Sequence, residues 1–142
     1  MFLIDTNVVS AMMQRTRSPE VAAWISQQQP DLLFTASVCQ AEILAGIAIL
    51  SEGRRQRDLA SAAHAVFSED FEGRVLAFDM SAATAYAEIF AARRRTGRPV
   101  ATLDLMIAAI ARSHGASVVT HNVADFEGCG IGVIDPWRNG QP

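Results

Sequence analysis

The chain has 142 residues, half of them hydrophobic, with two cysteines and a net charge of −3. A chain of this length hides nearly 70% of its unfolded surface in one core, which excludes a disordered chain and a fold that depends on disulfide or metal staples. All 12 basic residues are arginine, so the balance excludes a protein that coats nucleic acid by bulk positive charge and any chemistry that needs an amine.

Residues Phe2–Ile4 form a short apolar run that ends at Asp5, Thr6 and Asn7, the pattern of a buried strand feeding a helix. Ser18, Pro19 and Glu20 supply a cap, a first-turn proline and an acid near the positive end of a helix dipole, leading into a helix with Val21, Trp24 and Ile25. Residues 31–36 (DLLFTA) read as a second strand and 38–50 as a helix, broken by Gly53. Leu59, Ala63, Val66, Phe67 and Phe71 recur on one face of a long helix ended by Gly73. Residues 74–78 (RVLAF) read as a third strand, Asp79 as a cap, 80–96 as a helix stopped by Gly97 and Pro99, and 101–114 as the last helix, capped by Gly115. Residues 117–120 and 132–135 finish the chain as strands.

Strands alternating with longer helices predict an α/β fold in three layers, α/β/α, around a mostly parallel sheet, with 1–142 as a single domain. Cys39 and Cys129 lack the spacing of a zinc site or a disulfide scaffold and are expected to be reduced and partly buried. No apolar run approaches the ~18 residues of a membrane span, and MFLIDTNVVS lacks the basic start of a signal peptide. A cytoplasmic protein with no membrane partner is expected.

In a parallel sheet the ligand lies beyond the carboxyl ends of the strands. Two strands end in polar residues there: one runs into Asp5, the other into Thr120, His121 and Asn122 with Asp125 three residues on. Asp5 alone reads equally well as a helix N-cap. Glu42 interrupts a helical line of Val38, Ala45 and Ile49, and Asp104 shares a line with Ala101, Ala108 and Ala111. Each acid singly is open to a bland explanation, as a cap, an ion pair or an exposed residue on a misread face. Three such acids on separate elements are what a hard divalent cation requires, since magnesium takes oxygen ligands and keeps several waters.

The pieces FLIDTNVVS, SVCQAEILAGIAIL, TLDLMIAAIARSHGASVVTHNVADF and VIDPW, in this order across nearly the whole chain, resemble the PIN-domain nucleases, and among them the VapC-type toxins of toxin–antitoxin pairs, in the branch with the FitB-like proteins. The resemblance implies a PIN-like fold and a magnesium- or manganese-dependent endoribonuclease, with Asp5, Glu42 and Asp104 on the family's three invariant acids. Some relatives carry a fourth acid where this chain has Asn122, while Asp125 occupies another often acidic position. The fourth group is therefore Asn122, as a neutral ligand or as a donor to the waters around the metal, or Asp125, unless Asp125 merely caps the turn before Phe126. Thr6, Asn7 and Thr120 match polar positions of the motifs and look like residues that orient the acids or the substrate.

By the same resemblance, a metal-activated water attacks the phosphodiester and leaves 5′-phosphate and 3′-hydroxyl ends. RNA is then selected by shape and single-strandedness. The expected partners are a cognate antitoxin protein, a second copy of the chain in a homodimer, and operator DNA reached through the antitoxin. Arg93, Arg94 and Arg95 with Arg98 form a basic cluster suited to an RNA backbone, as do Arg54, Arg55 and Arg57; a solvated helix end is the competing explanation for both. His64, His114 and His121 form no metal motif, and Trp137 reads as a cover on the core. Two alternatives stand beside the nuclease. A magnesium-dependent phosphotransfer domain would normally add a lysine that this chain lacks, and a non-catalytic PIN-fold binding module would not need its three acids intact.

Overall fold

The computed structural model describes residues 1–14 and 18–138. Among the described residues five parallel strands stand in the order β3-β2-β1-β4-β5: β1 (Phe2–Ile4), β2 (Leu33–Ala36), β3 (Val75–Leu76), β4 (Ser117–Val119) and β5 (Val133–Ile134). Parallel neighbours require crossovers. Helices α1 (Thr6–Met13) and α2 (Pro19–Ser26) link β1 to β2, α3 (Ser37–Ala48) and α4 (Arg54–Ala65) link β2 to β3, and α5 (Met80–Arg95) and α6 (Thr102–Ser113) carry the chain to the far side of β1, where β4 pairs. The short α7 (Val123–Phe126) precedes β5. The strand order thus reverses between β1 and β4, the crevice where ligands of open parallel sheets sit.

Side chains that alternate along β1 and β4 divide between two cores. Leu3 and Val118 pack with Ala82 and Ile89 of α5 and with the buried face of α6; Ile4 and Val119 pack with Val8 and Val9 of α1, Trp24 of α2 and Ala63 of α4. This is the expected three-layer α/β/α arrangement. In α6 the consecutive residues Ile107, Ala108, Ala109, Ile110 and Ala111 are all fully buried, so the helix is enclosed on nearly every side.

Boundaries differ from the sequence expectation where local geometry intervenes. Pro30 opens a 3-10 turn over Pro30–Leu32, so β2 begins at Leu33, not at Asp31. The face of α4 continues past Ala65 as a π turn, Val66–Asp70, that still buries Val66 and Phe67. Arg74 donates from its side chain to the carbonyls of Pro30, Leu33 and Asp70 and sits outside the two-residue β3. In α3 the buried residues are Val38, Cys39 and Ile43, whereas Ile49 is 86% exposed. The expected apolar line through Ala45 and Ile49 is therefore an outward face, and Glu42 lies half-buried at the margin of the true one. Gly115, at φ +65°, ends α6 as expected of a left-handed C-terminal cap. No helix among the described residues is long and apolar enough to cross a membrane.

Candidate active site

Asp5 stands where β1 becomes α1. Its N–H continues the sheet to the Val119 carbonyl at 3.0 Å, and its side chain, 3% exposed, turns back onto the helix start. One oxygen accepts from the Thr6 N–H at 2.7 Å; the other accepts from Thr120 Oγ1 at 2.7 Å and from Asn7 Nδ2 at 3.3 Å. The capping and site readings of Asp5 are thus compatible, since one oxygen caps the helix while the other is held by residues of the neighbouring strand end. Burial raises its pKa above the ordinary carboxylate value, the Thr120 and Thr6 bonds oppose that rise, and the charges of Glu42 and Asp125 add to it.

Around Asp5 the neighbouring strand ends close a network. Thr120, fully buried, extends β4 by donating its N–H to the Ile134 carbonyl, and its hydroxyl accepts from Asn7 Nδ2 at 3.2 Å and from the Asn122 N–H at 3.0 Å. Asn7 Oδ1 accepts the His121 N–H at 3.2 Å. Thr6 reaches the other way, donating its hydroxyl to Glu42 Oε1 at 2.8 Å and so tying α1 to α3. Thr6, Asn7 and Thr120 therefore hold the acids by contact, spanning up to 115 positions of sequence. Beneath them Cys39 is a fully buried thiol whose pKa burial pushes up to about 12, so it stays protonated.

Asp104 occupies the first turn of α6, half-buried, in line with the buried Ala108 and Ala111. Burial, then Asp5, Asp125 and Glu42, raise its pKa to about 6. The charges of Glu42 in α3 and Asp125 in α7 thus act on both Asp5, at the start of α1, and Asp104 in α6, and among the described residues no cation is paired with any of the four. No three of the described His, Cys, Asp or Glu side chains are gathered closely enough to enclose an ion as they stand. The donor chemistry nevertheless suits magnesium or manganese: the groups are all oxygens, and such ions bind through one or two carboxylates while water bridges to the rest.

At the unsettled fourth position, Asp125 lies in α7 with its charge felt at both Asp5 and Asp104. Asn122 is the exposed residue before α7 and makes no side-chain capping bond. The arginine cluster divides. Arg93 is 7% exposed and donates to the carbonyls of Arg98 and Glu127, so its guanidinium is consumed inside the protein and the expectation that it touches RNA is withdrawn. Arg94 and Arg95 are exposed, and Arg98 is exposed but paired with Glu127 at 3.5 Å. Sequence reasoning passed over Asp135, a 7% exposed acid directly after β5. Its position at a strand end, the same signal that marked Asp5, would have found it.

The family model described as "PIN domain" matches residues 2–127. The chain is 40% identical over 138 residues to the "Plasmid stability protein StbB" of Pseudomonas syringae pv. tomato, covering 97% of this chain and 99% of that one. It is 32% identical over 138 residues to the "VapC ribonuclease Y4jK" of Sinorhizobium fredii, with the same coverage. Among solved structures, that of FitAB bound to an IR36 DNA fragment superposes with a TM-score of 0.89 at 30% identity, covering 96% of each chain.

Proposed function

Because the chain belongs to the PIN-domain family, we propose that it is an endoribonuclease, the toxin of a toxin–antitoxin pair, working with magnesium or manganese held by Asp5, Glu42, Asp104 and Asp125. The observation that carries the reading is the hydrogen-bond network beside the strand-order reversal between β1 and β4, in which Thr6, Asn7 and Thr120 hold the buried Asp5 carboxylate and Thr6 holds Glu42, with Asp104 and Asp125 near enough for their charges to act on the same site. When bound, the ion lowers the pKa of a water and offsets the charge that builds on the scissile phosphate. The chain's own residues prepare for that. Three donors fix the Asp5 carboxylate, Thr6 sets the rotamer of Glu42, and Asp104, with a pKa of about 6, sheds its proton near neutrality to join them.

Attack of water on phosphorus breaks the bond to the 3′ oxygen and leaves a 5′-phosphate and a 3′-hydroxyl. Of the four arginines at the end of α5, Arg94 and Arg95 are free to meet the RNA backbone, with Arg98 released only if it exchanges Glu127 for phosphate. The relative named VapC ribonuclease and the structure of FitAB bound to DNA support a cognate antitoxin and DNA reached with it; a homodimer, silencing of the site by the antitoxin and action in the cytoplasm by a single nuclease domain belong to the same proposal.

Purified protein should cleave RNA, lose that activity in excess EDTA, and regain it with magnesium or manganese but not with calcium, whose longer and looser coordination places water poorly. Cleavage that continues undiminished in chelator would remove the metal from the reading. Absence of cleavage under every metal would remove the nuclease.

A further inference from the structure

Beside the acids, on the same rim, lies a second constellation that the hydrolytic chemistry leaves unused. His121 follows Thr120 at the end of β4, and Trp137 lies three residues beyond β5. Their ring centroids are 4.9 Å apart at an interplanar angle of 63°. Buried Asp135 organises the pair: one carboxylate oxygen accepts the Trp137 N–H at 3.0 Å, and the other lies 3.4 Å from His121 Nδ1 and 3.5 Å from Arg138 Nε. Trp137 rests partly on the core, while the His121 side chain remains 57% exposed. The histidine backbone is tied to the metal-site acids through Asn7, which accepts from the His121 N–H and donates to Asp5. An exposed aromatic ring is thereby held in a fixed place two hydrogen bonds from the innermost acid.

We propose that His121, braced by Asp135 and Trp137, is a base-stacking residue that seats one unpaired nucleobase of single-stranded RNA next to the scissile phosphate. The inference rests on the ribonuclease reading above and gives that reading a substrate contact. Its physical need is plain. A protein of net charge −3 without lysine has no general attraction for a polyanion, so a contact that does not depend on charge adds what its few local cations leave short. Aromatic stacking supplies it without regard to sequence, because every base has a π face. Single-stranded RNA, whose bases are free to splay out, is the form that can use such a contact.

The test measures steady-state cleavage of an RNA oligonucleotide with a mapped cut site by wild type and by H121A, H121F and H121Q. All three keep the backbone N–H that bonds Asn7, so the acids remain in place. Stacking predicts a KM raised about tenfold or more in H121A with kcat within about twofold, the mark of lost binding common to ground and transition states. H121F, which keeps a ring but loses the link to Asp135, should stay within about threefold of wild type in KM. H121Q, which keeps a hydrogen-bonding group but no ring, should behave as H121A. Removing single bases beside the cut should raise the wild-type KM at one position and have no further effect there in H121A. Recovery in H121Q but not in H121F would show that the histidine serves only Asp135 and overturn the proposal, as would an unmoved KM in H121A. A wild-type protein that cuts no RNA overturns the nuclease reading and this contact with it, whereas normal cutting with a flat base-removal scan overturns this contact alone.

Discussion

Asp104 shows what the site does to a single residue. Its carboxyl is raised to about 6 from an ordinary 3.8 by burial and by the charges of Asp5, Asp125 and Glu42. The folded protein therefore favours the neutral form: that contribution to stability is complete below about 3.8 and is lost as pH rises through about 6. At neutral pH without metal, the ionised group opposes the fold. Asp104→Asn imitates the neutral form at nearly constant volume, so the metal-free variant should melt a few degrees higher than wild type at pH 7.5 and depend less on pH between about 4 and 6. The same variant should be inactive as a nuclease and should gain less from added manganese in its melt, since a ligand stabilises only in proportion to its affinity for the folded state. A variant that melts lower than wild type without metal, or that cuts RNA normally, would contradict the placement of Asp104 among the metal-binding acids. Asp5 and Asp104 stand out in the sequence as an acid at a strand end and an acid in line with small helical residues, whereas Glu42 stands out on an apolar line that in the fold faces outward. The bonds that orient these acids were not legible there, since Thr120 and Asp5 meet across 115 positions and only the β1–β4 pairing brings them together.

At the scale of elements, α5 shows where a sequence pattern was legible but misread. Ala82, Ala85, Ile89 and Arg93 are the buried residues of the helix, spaced by three, four and four, so Arg93 continues an apolar stripe while its neighbours Arg94 and Arg95 point to solvent. In a run of three arginines composition suggests a shared role; helical period separates them. The buried guanidinium joins the loop before α6, through the Arg98 carbonyl, to the residue after α7, through the Glu127 carbonyl. Those two helices carry Asp104 and Asp125. Arg93→Gln should thus destabilise the protein by about 2–3 kcal/mol, the scale of losing charged hydrogen bonds whose partners stay buried, whereas Arg94→Gln should fall within about 0.5 kcal/mol of wild type. Urea unfolding of the two variants decides the matter, and equal midpoints would return Arg93 to the surface cluster. The shortness of β3 and β5 was not legible, because strand limits depend on where a neighbour stops pairing and no local residue marks that point.

For the molecule as a whole, the sign and placement of charge govern how a polyanion is met. Twelve basic residues against fifteen acidic ones leave no general attraction for RNA, and among the cations of the α5 end, Arg93 is committed inside the fold and Arg98 is paired with Glu127. Arg94 and Arg95 remain, with any bound metal ion. Each phosphate contact on a single strand adds about 0.7 to the magnitude of the slope of log affinity against log salt, so binding should show a shallow slope, on the order of −1.5 to −2. Replacing Arg94 and Arg95 together by Gln should reduce its magnitude by about 1.4 if both touch phosphate. Calcium in place of magnesium allows the measurement with wild type, since RNA is then expected to bind without being cut, and fluorescence anisotropy of a labelled single strand over a range of salt gives the slope directly. The double variant should keep its stability to within about 1 kcal/mol, both side chains being exposed and Arg94 resting only on the half-exposed Phe90 ring. An unchanged slope would confine these arginines to the role of cations at the negative end of α5, where they complement the helix dipole. A wild-type slope much steeper than about −3 would mean that a basic surface elsewhere, with Arg54, Arg55 and Arg57 the first to replace, carries the RNA.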